Sequence, residues 1–192
     1  MGTLKQISRL LRQVTIIFIL MTGNLYSESN LSEELQRRVS ISVSIFPKIV
    51  ATDTGITTKL IDNQINLAVA YKTEKAYASA LVADFNQRIN KIRSSEAITQ
   101  IVSIKNLSLK HNNFSAIFLA EVLSDQEFAK LLAYAIKHHI ILFSPFPGDV
   151  ERGAIAGIAI EARIRPFFNL NSLKRAQIEI SQTLIRISRT HE

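Results

Sequence analysis

A single α/β domain is the fold class this sequence predicts, with one mixed sheet flanked by helices on both faces and a C-terminal antiparallel hairpin. Three observations predict it. Two short, nearly continuous apolar runs, Ile65 to Tyr71 and Phe114 to Glu121, have the length and composition of strands buried on both faces. Segments with apolar residues at spacings of three and four, 74–92 and 125–138, alternate with such runs as helices do with strands in layered sheets. Two further apolar stretches, 154–161 and 163–168, are separated only by a bend at Glu161 and Ala162, which predicts adjacent antiparallel strands.

At the start of the chain, Lys5, Arg9 and Arg12 precede an apolar run from Val14 to Met21, followed by Thr22, Gly23, Asn24 and small residues around Ser27. That order reads as a secretory signal peptide over 1–27, and the run falls short of the roughly 20 residues a membrane-spanning helix needs. Cleavage after Ser27 leaves 28–192 as one domain, long enough to bury a core without staples. With no cysteine in the chain, neither a lipid anchor at the leader nor a disulfide is available, so a soluble domain outside the cytoplasm is expected.

Asn30 with Glu33 and Glu34 predicts the start of a helix over 31–46, closed by Pro47. Ser40, Ser42 and Ser44 alternate with Ile41, Val43 and Ile45, which leaves its second half open to a strand reading. After the strand at 65–71, Thr73 is a candidate cap for a helix over 74–92 carrying Tyr77, Leu81, Phe85, Ile89 and Ile92 on one side. Ile98 to Lys105 is expected as a strand, with a polar loop through Lys110 to Asn113 before the second apolar run. Ser124-Asp-Gln-Glu127 supplies a capping box for a helix to about His138 that buries Phe128, Leu131, Leu132, Ala135 and Ile136. Ile140 to Phe143 is a further strand, ended by Ser144-Pro-Phe-Pro-Gly-Asp149 because prolines cannot donate to a ladder. Pro166 places the second hairpin strand at an edge or bulge. Asn169 or Asn171 caps a short helix through Ala176, and Leu184, Ile185 and Ile187 give a last helix an apolar side before a polar tail from Arg189. Right-handed crossovers would direct any ligand to the loops after Tyr71, Glu121 and Phe143, beyond the carboxyl ends of the strands.

The formal charge of +7 falls to +4 once the three basic residues of the leader are removed. Basic residues are scattered among acids, without the interleaved aromatics of a nucleic-acid groove, so no nucleic-acid partner is expected. Gly148 and Gly153 have the outer spacing of a phosphate loop, but Ala154 and Ile155 stand where Lys and Ser/Thr are required. Gly153 and Gly157 are read instead as residues that let a tight turn enter a strand and let backbones approach closely. There is no Gly-x-Ser-x-Gly elbow. His138 and His139 fit a helix end better than a metal site, and His111 and His191 stand apart from them. Glu121, Asp149 and Glu151 would make an acid and base pair only if two carboxylates came within about 5 to 9 Å; Asp149 and Glu151 are read as solvated loop residues. No cofactor, metal or catalytic group is expected. Phe146, between two prolines, is a candidate aromatic held out for a partner, with cover of a core edge as the alternative.

The chain resembles the YfiR-type (YfiR/HmsC-like) regulators. The resemblance rests on Phe46-Pro-Lys-Ile-Val50, Ile65-Asn-Leu-Ala-Val-Ala-Tyr71, Ser144-Pro-Phe-Pro-Gly148, Gly153-Ala-Ile-Ala-Gly-Ile-Ala-Ile160, Arg163-Ile-Arg-Pro-Phe-Phe-Asn-Leu170, Leu173-Lys-Arg-Ala176 and Ile180-Ser-Gln-Thr-Leu-Ile-Arg-Ile187. It implies a periplasmic protein, often dimeric, that binds the periplasmic part of an inner-membrane sensor or diguanylate cyclase and represses it, lowering cyclic di-GMP and biofilm formation without enzymatic activity. Redox control by disulfides, found in some members, does not carry over to a chain without cysteine. Phe146, Phe167 and Phe168 are the candidate partner contacts. The rival reading is a periplasmic small-molecule binding protein with its pocket in the strand-end loops.

Overall fold

The computed structural model describes residues 33–107 and 114–192. The leader over 1–27, the helix start at Asn30 and the loop with His111 lie outside them. The chain divides into two compact units, Met1–Arg37 and Arg38–Glu192. Of the first, the described residues 33–37 are helical.

Helix α1 covers 33–50. Pro47 does not close it, as the sequence suggested, because the amide of Ala51 reaches the carbonyl of Pro47 at 2.9 Å and completes one more turn. The strand-like serine alternation is overruled by Val39, Val43, Phe46 and Val50, all buried and spaced by four, three and four, which is one helical face. A 3-10 turn at Ile56–Lys59 leads to β1 (Gln64–Tyr71), α2 (Lys75–Arg88), β2 (Lys91–Ile92) and β3 (Ser95–Ser103). Next come β4 (Ala116–Leu119), α3 (Asp125–Lys137) and β5 (Ile141–Ser144). The chain ends with the hairpin β6 (Ala156–Ile160) and β7 (Ile164–Asn169), then α4 (Leu170–Arg175), α5 (Gln182–Ile187) and β8 (Arg189–His191). The fold class is the expected one: a mixed eight-stranded sheet in the order β2-β3-β1-β4-β5-β6-β7-β8, parallel from β3 through β6 and antiparallel at the β6–β7 hairpin.

The faces of the sheet follow from side-chain alternation. Phe118 of β4 and Phe143 of β5 point to the face where Phe46 of α1 and Phe85 of α2 meet them, with Phe46 5.4 to 5.8 Å from the other three ring centres. Ile117, Leu119 and Leu142 therefore point to the opposite face. From β1 the chain crosses through α2 to one side and from β4 through α3 to the other, so right-handed crossovers set these helices on opposite faces. Strand order reverses between β1 and β4.

Three expectations are corrected. Helix α2 stops at Arg88 rather than Ile92, because Ile89 turns extended (φ −134°, ψ 109°) and Ile92 enters a hairpin strand. Helix α5 buries none of its residues, and Ile187 is 62% exposed. The polar tail is strand β8, parallel to β7 with Phe167 opposite Arg189; an edge strand without apolar alternation carries no pattern to read.

Candidate functional site

Strand ends at a reversal of strand order form the crevice where open α/β sheets bind ligands, and here the loops after β1 and β4 meet. The Glu121 carboxylate accepts hydrogen bonds from the amides of Lys72 (2.6 Å), Thr73 (2.9 Å) and Glu74 (3.1 Å) and from the Thr73 hydroxyl (2.8 Å). Thr73 is thus not the cap of α2. The helix has no side-chain cap of its own, and the Glu121 carboxylate gathers the amides of the loop that leads into its positive end. Burial pushes the Glu121 carboxyl up, but the amides of Lys72 and Glu74 and both Thr73 donors outweigh it and hold the group below the usual range.

Lys72 continues the network, its ammonium 2.9 Å from the Glu127 carboxylate. Glu127 closes the capping box that the sequence announced, accepting from the Ser124 hydroxyl at 2.7 Å. Ser124 first and Lys72 second lower its pKa from 4.5 to about 2. A carboxylate depressed in the folded state contributes stability that is complete above its unfolded value and lost as pH falls through the folded one. On acidification from about pH 4.5 to about pH 2, Glu127→Gln is therefore expected to lose stability less steeply than the wild type. Urea midpoints across that window read the difference; parallel curves would remove Glu127 from the acid response.

Beside this network, a cavity of about 320 Å³ lies between α3 and the turn after β3, lined by Ile104, Lys105, Leu107, Lys130, Leu131 and Tyr134 together with Glu127. Burial raises the Tyr134 pKa. The cavity joins an apolar wall to two ammonium groups, a carboxylate and a phenol, the composition of a small-ligand site. Lys72, Lys105 and Tyr134 were not singled out from the sequence, because none belongs to a motif. Only the capping box pointed to Glu127, and it signalled a helix start.

The third strand-end loop, after β5, is closed upon itself. The Ser144 hydroxyl donates to Asp149 at 2.6 Å and Arg152 donates to the same carboxylate at 2.7 Å, while a second Arg152 nitrogen reaches Asp125 at 2.8 Å. Asp149 is 2% exposed, not the solvated residue expected, and burial pushes its carboxyl up against the lowering effects of Ser144 and Arg152. Glu151 lies instead 3.8 Å from Arg189. Glu121, Asp149 and Glu151 thus belong to three separate networks among the described residues.

Phe146 is 7% exposed, Phe167 4% and Phe168 fully buried. The expectation that two prolines hold Phe146 out is corrected: the Phe146 amide donates to Ser144 at 3.2 Å and Arg38 donates to the Pro145 carbonyl at 2.8 Å, which turns the loop inward. Phe167 lies under the Arg189 guanidinium, 4.5 Å from its ring centre, and Phe168 pairs with Ala156 across the hairpin. His138 ends α3, its amide donating to Tyr134, and the His139 ring lies 3.0 Å from the Ala176 carbonyl. Among the described residues no three His, Asp or Glu side chains gather as a metal site, and no helix is long and apolar enough to cross a membrane.

The family model described as YfiR/HmsC-like matches residues 57–189. No curated protein sequence matches. Among solved structures, one titled as the ABC domain in complex with L-Trp from Streptococcus pneumonia aligns with a TM-score of 0.50 at 9% identity, over 74% of this chain and 60% of that one. A conserved domain protein from Vibrio cholerae aligns at 0.49 and 11% over 74% and 60%. A substrate binding protein with adhesive properties from Clostridium difficile aligns at 0.49 and 12% over 71% and 57%. This chain therefore spans about three fifths of the length of these structures, and the first of them shows a shared fold.

Proposed function

The chain belongs to the YfiR/HmsC-like family, whose model covers residues 57–189, and from that premise we propose that it is a periplasmic regulator without enzymatic activity that binds the periplasmic part of an inner-membrane diguanylate cyclase and represses it. Family membership is the observation that carries this reading. The chemistry of the strand ends supports it: Glu121, Glu127 and Asp149 are each taken up in a structural hydrogen-bond network, and Asp149, the acceptor of the Ser144 hydroxyl, is itself held by Arg152. The leader at 1–27 fits delivery to the periplasm, and a homodimer fits the family.

Crosslinking the tagged mature protein in its native envelope, with identification of the captured inner-membrane proteins by mass spectrometry, tests the proposal. Recovery of a cyclase with a periplasmic segment is the expected result. Recovery of no membrane protein would overturn it. The cavity beside Tyr134 favours a second reading, a small-molecule binding protein, which predicts a ligand-dependent rise in melting temperature whether or not a membrane partner is captured.

A further inference from the structure

A second concavity, of about 500 Å³, lies away from the strand ends, between the end of α1 and the β2–β3 hairpin. Half-buried Ala51 and Ile89 give it an apolar wall, and its rim carries Lys48, Lys91 and Arg93. Arg88 is there too but is neutralised by Asp84. The other three have no carboxylate within ion-pair distance among the described residues: Lys91 stands opposite Glu96 in the ladder, but the Glu96 carboxylate accepts from Gln64, and Arg93 Nε donates to the Ala51 carbonyl.

The bland account of these cations is that they serve the helix C-termini that open here, those of α1 and α2. That account covers part of the charge. Two C-termini contribute about −0.5 each and the Glu96 carboxylate opposite Lys91 contributes −1, against three formal positive charges, so the groove keeps a net charge of about +1. The hairpin adds an independent observation. Arg93 is the first residue of the two-residue turn between Ile92 and Ser95 and adopts φ 53°, a position that favours Asn, Asp or Gly. That backbone sets the Arg93 side chain at the mouth of the groove, where its Nε meets the Ala51 carbonyl.

We propose that this groove receives an acidic, partly apolar segment of the partner protein, with Lys48, Lys91 and Arg93 meeting its carboxylates and Ala51 and Ile89 against its apolar side chains. The inference builds on the partner-binding reading above and gives the partner's segment a chemistry. Concavity favours a chain with projecting side chains over a flat bilayer. The negative ends of two helices oppose a compact dianion more than they oppose carboxylates spaced along a peptide.

The test uses the mature protein and two fluorescent synthetic peptides, one alternating Glu with Leu and one alternating Gln with Leu. Binding is read by anisotropy at low and high salt, for the wild type, for the variant Lys48→Glu/Lys91→Glu/Arg93→Glu, and for Lys75→Glu/Lys137→Glu/Lys174→Glu as a charge-matched control elsewhere. The Glu peptide is expected to bind the wild type and the control, and to weaken about tenfold or more at high salt and in the groove variant. The Gln peptide is expected to bind about tenfold more weakly. Should the triple variant not fold, Lys48→Gln/Lys91→Gln, which retains the Arg93 contact to Ala51, gives the same comparison. Absence of binding, equal binding of both peptides, or equal binding by the groove variant overturns the proposal. So does binding only to vesicles of phosphatidylcholine and phosphatidylglycerol, or a groove variant whose sole change is in self-association. If wild type and groove variant capture a cyclase equally well in the envelope, the regulatory function stands and this assignment falls. If peptide binding behaves as expected and no membrane protein is captured, the groove stands and that function falls.

Discussion

Gly157→Ala is expected to destabilise the protein by about 3 kcal/mol, at the upper end of the usual cost of overpacking. Gly157 sits in β6 directly opposite Ser144 of β5, and a Cβ there would stand 2.6 Å from the Ser144 carbonyl oxygen and 2.7 Å from a methyl of Val150. The first neighbour is backbone in a central strand, which cannot yield without parting β5 from β6, and the second is a buried, stiff side chain of the turn between them. For a domain of this length the loss corresponds to a fall of about 6 to 12 °C in melting temperature. Gly148→Ala is the informative control. No atom lies within 4 Å of its Cβ position, but its φ is +82°, so it is expected to lose only about 1 kcal/mol through backbone strain. Thermal or urea unfolding of the two variants separates crowding from conformation, and equal losses would show that close approach at Gly157 is not what limits it.

Phe46→Ala is expected to cost about 4 kcal/mol, in the range for aromatic truncation in cores. Phe46 is fully buried and touches the rings of Phe85, Phe118 and Phe143, so its removal empties the point where α1, α2 and two central strands converge. Phe46→Leu refills part of that volume and is expected to lose about half as much. Denaturant midpoints with an unchanged m-value would report the loss as stability alone. A cost below about 2 kcal/mol in the Ala variant would mean that the four-ring cluster closes over the gap.

Both residues were legible in part. Phe46 belongs to a phrase that carries the family resemblance, and Gly157 was read as a site of close backbone approach, but neither reading contains the neighbours that set the magnitudes. Those neighbours come from elements far along the chain. The same limit explains the corrections. Phe146 sits between prolines in a segment that reads as a projecting turn, yet Arg38, 107 residues away from Pro145, draws the loop inward. Thr73 has the identity of a cap, yet its hydroxyl donates to Glu121, 48 residues on, rather than serving the helix. Each outcome was decided by a side chain that the local sequence does not contain.

By itself the sequence determined the elements whose signals are local: the buried strands β1, β4 and β5 through their apolar runs, α3 through its capping box, the β6–β7 hairpin through its bend, and the fold class through their order. Short-range sterics and hydrophobic periodicity act within a few residues, so they can be read without a structure. Tertiary structure alone decided which edge β8 joins, that the three candidate phenylalanines turn into the core, that Glu121, Lys72 and Glu127 form one network beside a cavity, and that Lys48, Lys91 and Arg93 share a groove. Electrostatics and packing act through space, and only the sheet order brings those residues together.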